Sequence, residues 1–276
     1  MSTWLITGCS TGLGRYLAQA VLAQGHNVVV TAREAAKVQD LVDAHPDSGL
    51  ALSLDVTDQG QVEAAAQQAE ERFGGVDVLV NNAGYGYRAA VEEGEEVEVA
   101  RLFATNFFGP VAMIKALLPG MRVRRHGAIV NISSIGARIS PPGSGYYSAS
   151  KAALEGMSAS LRKEVGPLGI SVTVVEPGGF RTDFAGRSLQ QSPHAIADYA
   201  ETAGRRRKEN DTAHGNQPGD PARGAQAIIR AVEAQDPPFL LLLGADALQG
   251  FNAVLEAQRK ELESWESLTL STGFPT

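Results

Sequence analysis

The chain has 276 residues, 43% hydrophobic and 20% charged, with a formal net charge of -7. Such a composition belongs to a soluble globular protein, and the acidic balance argues against nucleic acid or an anionic membrane as partner. The single cysteine, Cys9, excludes an intrachain disulfide and fits a reducing, cytoplasmic setting.

The first apolar run, "TWLITG" (3–8), reads as a strand and leads into "TGCSTGLG" (7–14). A strand, a glycine-rich turn and a helix in that order make a phosphate cradle. Gly8 allows the tight turn, while Gly12 and Gly14 let backbone approach a pyrophosphate and let the helix pack on the sheet. The helix start offers unpaired N–H groups and the positive end of a dipole. The spacing is G-x-x-x-G-x-G, not the more familiar G-x-G-x-x-G. The helix is expected over 12–24, with Leu13, Leu17, Ala20 and Val21 on one side and Gly25 as its stop.

The second strand, "NVVVTA" (27–32), ends at Arg33. A carboxylate at its end would hold the ribose hydroxyls of NAD. Thr31 and Ala32 are uncharged and Arg33 can face a 2′-phosphate, which favours NADP(H) over NAD(H), with Glu34 next door as the competing feature. "LALSLDV" (50–56) is the third strand. A helix over 58–73 follows, with Thr57 as its N-cap. Further strands are "VDVLVNN" (76–82), "AIVNIS" (128–133), "SVTVVEP" (171–177) and "FLLLLG" (239–244). In "GDPARGAQAIIRAVEAQ", Asp220 is the expected cap, with Pro221 at the first helical position.

Near-continuous apolar strands alternating with helices imply a single α/β domain over 1–276: a Rossmann-type, doubly wound sheet of seven parallel strands with helices on both faces. Its ligands bind at the carboxyl ends of the strands. The polar stretch 183–220 reads as a substrate flap or a long surface loop, and 245–276 as a C-terminal extension. "RRRK" (205–208) reads as a solvated face rather than a phosphate or partner contact. The longest apolar run, "FLLLL" (239–243), is too short to cross a bilayer, and "MSTWLITGCS" lacks the features of a secretory signal. The histidines match no metal-ligand spacing, so no metal is expected.

"GSGYYSASK" (143–151) places Tyr147 four residues before Lys151 and Tyr146 five before it. On a helix, residues four apart share a face, so Tyr147 feels the ammonium and Tyr146 does not. A nearby positive charge lowers a phenol's pKa from about 10 and fits Tyr147 for proton transfer near neutral pH.

Taken together, "TGCSTGLG", "NNAG" (81–84), "NISS" (131–134), "YSASK" (147–151) and "PGG" (177–179) resemble the short-chain dehydrogenase/reductase family, single-domain type, in its order and spacing over residues 5 to 185. The resemblance implies Tyr147 as general acid/base, Lys151 as the group that lowers its pKa and binds the nicotinamide ribose, and Ser134 as the hydroxyl holding the substrate oxygen. Ser133 would point to the opposite face. Asn106 would anchor a water leading to Lys151, or, read from its position alone, bond to backbone inside its helix. Cofactor contacts implied are Gly8, Ser10, Thr11, Gly12, Leu13 and Gly14 at the phosphates, and Asp55 and Val56 at the adenine. Asn82, Ala83 and Gly84 would lie beneath the ribose, and Pro177, Gly178, Phe180 and Thr182 at the carboxamide. A homodimer or homotetramer is implied by the same analogy.

Expected pocket walls are Tyr85, Ile135, Gly136, Ser144 and Phe184, with no arginine or lysine clearly placed to grip an anion. The expectation is therefore an NADP-dependent oxidoreductase acting on a hydrophobic ketone or secondary alcohol, in the manner of the hydroxysteroid and retinol dehydrogenase branch. The alternatives are a 3-oxoacyl thioester reductase docking its carrier on Arg205 to Arg207, and a non-catalytic NADP-binding regulatory protein.

Overall fold

Short runs of valine, leucine and isoleucine become the strands of one sheet because both of its faces are covered. The structure, a computed structural model, describes residues 1–186, 188–208 and 215–274. Strands β1 (Thr3–Ile6), β2 (Asn27–Ala32), β3 (Gly49–Ser53), β4 (Val78–Asn81), β5 (Gly127–Ile132), β6 (Ile170–Pro177) and β7 (Leu240–Leu243) are all parallel. Their order is β3-β2-β1-β4-β5-β6-β7. Each expected strand is present, with ends that move by up to three residues. The direction of winding reverses between β1 and β4, where an open α/β sheet leaves a crevice at its carboxyl edge.

Covering the sheet are α1 (Gly12–Ala23), α2 (Gln59–Phe73), α3 (Glu96–Phe103), α4 (Gly109–Arg124), α5 (Gly145–Val165) and α6 (Pro221–Val232). Side chains alternate across β1, so Trp4 and Ile6 pack with Leu17, Val21, Ile228 and Ile229 of α1 and α6. Leu5 points the other way, into Val62, Met113 and Leu161 of α2, α4 and α5.

Helix ends follow their local chemistry. Gly25 stops α1 with φ +81. Asp220 caps α6 by accepting from Ala222 N at 2.8 Å. The cap of α2 is Asp58, not Thr57: its carboxylate accepts from Gln61 N at 3.0 Å. Thr57 is drawn back onto Asp55, donating through N at 2.9 Å and Oγ1 at 2.7 Å. A carboxylate one residue later reaches the third N–H of the helix, and the threonine has a better acceptor behind it.

Between α3 and α4 the chain keeps winding through a π-turn, Ala104–Phe108, in which Gly109 N donates to Ala104 O. Pro110 has no N–H for the carbonyl of Asn106, so the regular bond four residues back cannot form there. The whole helical run Glu96–Arg124 is long and apolar enough, by length and composition, to cross a membrane. It is longer than the "FLLLL" run. In this fold Asn106, Met113, Leu117 and Met121 along it are buried.

The segment beyond β6 is more structured than its polarity implied. Leu189–Gln191 pairs in parallel with Gly86–Arg88 as a small second sheet. Glu93 accepts from Ile196 N at 2.8 Å through its carboxylate and from Ser192 Oγ at 2.6 Å through its carbonyl. Arg207 also reaches the Glu93 carboxylate; their side chains are 16% and 3% exposed. Arg207 therefore leaves the solvated face expected of "RRRK", because a buried carboxylate waits beneath it. Residues 187 and 209–214 of the expected flap lie outside the described residues. The C-terminal extension forms α7 (Ala245–Leu270), whose first turns pack Ala247 and Gly250 on the body and whose later turns expose Leu255, Leu262 and Trp265.

Candidate active site

Four chain segments meet at the carboxyl edge. Gly8 turns the chain out of β1 with φ +72, and a Cβ there would lie 2.9 Å from Ala83 Cα. A Cβ on Gly14 would lie 2.3 Å from Asn82 Nδ2. Thr7, which the sequence reading passed over, locks the two segments together. Its Oγ1 accepts from Asn82 N at 3.0 Å and Ala83 N at 2.9 Å, while Asn82 Nδ2 donates to Thr7 O at 2.9 Å and Gly8 O at 3.0 Å. Cys9 and Ser10 form the turn, Thr11 stands extended at the start of α1, and Leu13 packs inward on the core. Thr11 makes no side-chain cap to α1. A glycine-lined turn too tight for side chains, opening a helix at a switch point, fits the diphosphate of a nicotinamide dinucleotide.

The loop after β6 crosses this cradle. The Cβ position of Gly12 lies 3.5 Å from the Thr182 side chain. Pro177 O accepts from Ile135 N at 3.1 Å, and Gly178 N donates to Leu243 O at 2.9 Å. Gly179 N donates to Asp246 Oδ2 at 2.7 Å, an anchor from α7 that no short motif signals. Phe180 bridges to Gly219 and packs on Gly224. At the outer end of the crevice, Arg33 is exposed just past β2. Glu34 bonds Lys37 Nζ at 2.5 Å, and that hydrogen bond holds its carboxyl below the usual range. Asp55 turns onto Thr57, and Val56 is buried against Gly109.

On α5 the two tyrosines separate as helical geometry requires. Tyr146 donates its hydroxyl to Val91 O at 2.6 Å and packs on Tyr87, ring centroids 6.3 Å apart. Tyr147 is buried, with Lys151 Nζ 5.9 Å from its ring centroid. Lys151 Nζ donates to Ile132 O at 2.8 Å. The expected lowering of the Tyr147 pKa by Lys151 is not found. Burial pushes the phenol up, and what opposes it is a hydrogen bond with Ser134 and the charge of Arg88. Lys151 is itself brought down to about 8 by burial, against the pull of Glu155.

Ser133 and Ser134 diverge as their strand parity requires. Ser134 Oγ accepts from Gly136 N at 3.0 Å and lies with the Tyr147 ring around the Gly136 Cβ position, at 3.2 and 3.5 Å, while Ser133 Oγ donates to Glu155 Oε1 at 2.5 Å. Asn106, fully buried on the π-turn, accepts from Tyr85 N at 3.1 Å and donates to Tyr85 O at 2.9 Å and Ser150 Oγ at 3.2 Å. It thus bonds backbone and holds Gly84 in place. The Cβ position of Gly84 lies 3.0 Å from Asn106 Oδ1 and 3.3 Å from Lys151 Nζ. Phe184 closes the front, its ring centroid 5.9 Å from that of Tyr147. Arg88 is not among the expected walls: it bonds Ser144 Oγ and its charge reaches Tyr147. Nothing local in the sequence ties it to the site, because the small second sheet brings it there. Ser134 and Tyr147 therefore meet around Gly136, beside a lysine and a nucleotide cradle.

The short chain dehydrogenase family model matches residues 2–193. The 3-ketodihydrosphingosine reductase of Bacteroides thetaiotaomicron is 40% identical over 247 residues, covering 87% of each chain. The crystal structure of a short-chain dehydrogenase from Streptomyces avermitilis superposes with a TM-score of 0.92 at 44% identity, over 99% of this chain and 100% of that one. The 3-ketoacyl-(acyl-carrier-protein) reductase of Brucella melitensis, solved with NADH, superposes at 0.74 with 25% identity, over 87% and 96%. With this sheet, this cradle and these relatives, the chain belongs to the short-chain dehydrogenase/reductase family and is an oxidoreductase.

Proposed function

We propose that the protein is an NADP-dependent reductase of hydrophobic ketones, working also in reverse on secondary alcohols, with Tyr147 as general acid/base. The observation that carries this reading is that Ser134 Oγ and the ring of the buried Tyr147 flank one point, the Gly136 Cβ position, at 3.2 and 3.5 Å, with Lys151 Nζ and Asn106 Oδ1 side by side at Gly84. Bound NADPH supplies the hydride. Ser134 and Tyr147 donate to the carbonyl oxygen as negative charge grows on it, and Tyr147 passes its proton. Lys151 and Asn106 hold the floor of the site. Gly8 to Gly14, Asn82 to Gly84 and the loop from Pro177 to Thr182 would hold the dinucleotide, with Asp55 and Val56 at the adenine.

Arg33 supports NADP because Glu34, the carboxylate that would favour NAD, is engaged by Lys37. Arg33→Asp is expected to shift preference toward NADH by about tenfold or more, read from kcat/KM with each cofactor; unchanged NADPH preference removes Arg33 from the phosphate site. Gly136 and Phe184 around Tyr147 support an apolar ketone, and the relative named as a 3-ketodihydrosphingosine reductase supports a keto substrate. The thioester reading needed a basic docking face, but Arg205 pairs with Glu201 and Arg207 with Glu93. The regulatory reading has against it the presence of both Tyr147 and Lys151. A homo-oligomer is proposed through the helices that carry Asn106 and Tyr147, where Val97 of α3 and Phe108 of the π-turn are exposed.

The test is loss of NADPH absorbance with aryl ketones, aldehydes, long-chain 3-keto compounds and 3-oxoacyl thioesters. Turnover of ketones supports the proposal. Turnover of thioesters alone, or tight NADPH binding with no turnover, overturns it.

A further inference from the structure

Beneath Tyr147 lies a group of buried charges that no step above uses. Glu155 follows Lys151 by one turn on the same face of α5. Its carboxylate, 8% exposed, takes Ser133 Oγ at 2.5 Å and Arg138 Nη2 at 2.8 Å. Glu176, on β6 and fully buried, takes the same guanidinium through Oε1, at 2.9 Å from Nη2 and 3.0 Å from Nε. Arg138 is 37% exposed, and the ring of Phe251 from α7 covers it at 5.5 Å. Glu176 Oε2 is buried with no donor directed at it, and the two carboxyls are brought together by sharing Arg138 Nη2.

Two buried carboxylates facing one guanidinium leave an excess negative charge in a poorly solvated space. A brace joining β6, α5 and the helix Gly136–Ile139 needs only one of them. The second stands one turn from the buried ammonium of Lys151. We propose that Glu155 is a positioning residue that keeps Lys151 charged, with Ser133, Arg138 and Glu176 setting its own ionisation. Burial pushes Glu155 up to about 7, with Glu176 adding to the rise and Ser133 and Arg138 opposing it. Glu155 in turn opposes the burial that brings Lys151 down to about 8. The inference rests on the Tyr147 reading only in its consequence, that this charge sets the pH range of turnover.

The experiment follows the Lys151 Cε resonance in 13C-lysine-labelled protein without cofactor, assigned by its loss in Lys151→Arg, across about pH 6 to 11. Glu155→Gln is expected to lower the Lys151 midpoint by about one pH unit. Glu176→Gln, equally buried but not adjacent to Lys151, is expected not to lower it. An unmoved midpoint in Glu155→Gln, or an equal fall in both variants, overturns the proposal. If Glu155→Gln does not fold, Ser133→Ala serves: losing the hydrogen bond that favours the carboxylate must move the midpoint down, and no movement overturns the proposal. The titration needs no substrate, so a predicted shift without turnover on any ketone sinks the proposed function and leaves this inference standing.

Discussion

Tyr147 is buried, and burial works against the phenolate. The phenol therefore holds its proton at neutral pH, the state needed to protonate a nascent alkoxide in ketone reduction. The reverse reaction needs the phenolate and depends on positive charge nearby. Arg88 is one source of it. Arg88→Gln is expected to move the rise of alcohol oxidation to higher pH while leaving reduction near neutral pH largely intact; pH–rate profiles in both directions check this. Tyr147 and Lys151 are legible in sequence because a spacing of four on a helix puts them on one face, and Ser134 because it sits in the "NISS" motif of the family. Thr7, Arg88, Asp246 and the pairing of Glu155 with Glu176 are not, since each is brought into place by a distant strand or helix.

Helix and strand ends carry the geometry that positions these groups. Asp58→Ala is expected to cost about 1 kcal/mol of stability by removing the cap on α2, and Thr57→Ala less; denaturant midpoints of the two variants decide which residue is the cap. Gly8→Ala would force a Cβ against Ala83 in a backbone with φ +72, so loss of nucleotide binding together with a lower melting temperature is expected. All seven main strands could be read from apolar runs, since burial on both faces leaves few polar residues in them. The small pair Gly86–Arg88 and Leu189–Gln191 could not, because three-residue polar strands have no periodicity to read.

At the scale of the molecule, two buried glutamates give opposite pH dependences. For Glu93, burial alone would raise the pKa, but bonds from Ile196 N, Ala90 N and Arg207 outweigh it and the group ends below its ordinary value of 4.5. A depressed carboxyl stabilises the fold above the unfolded pKa, and that contribution is lost as pH falls through the folded one. Glu155 is the reverse: raised to about 7 from 4.5, it makes the fold lose stability as pH rises across that interval. Melting curves from about pH 4 to 8 test both. Relative to the unsubstituted protein, Glu93→Gln is expected to converge toward acid pH, and Glu155→Gln to lose the decline between about 4.5 and 7. Parallel curves throughout contradict the assignments. Glu93 also ties residues 192–207 to the body, so its loss is expected to expose that segment to proteolysis.

The most direct measurement of the central claim compares Tyr147→Phe with Tyr146→Phe, using NADPH titration and ketone-dependent NADPH oxidation on the same preparations. Unchanged NADPH affinity is expected in both, with turnover abolished in Tyr147→Phe and mostly retained in Tyr146→Phe. Equal loss in the two variants, or substantial turnover without the Tyr147 hydroxyl, contradicts it.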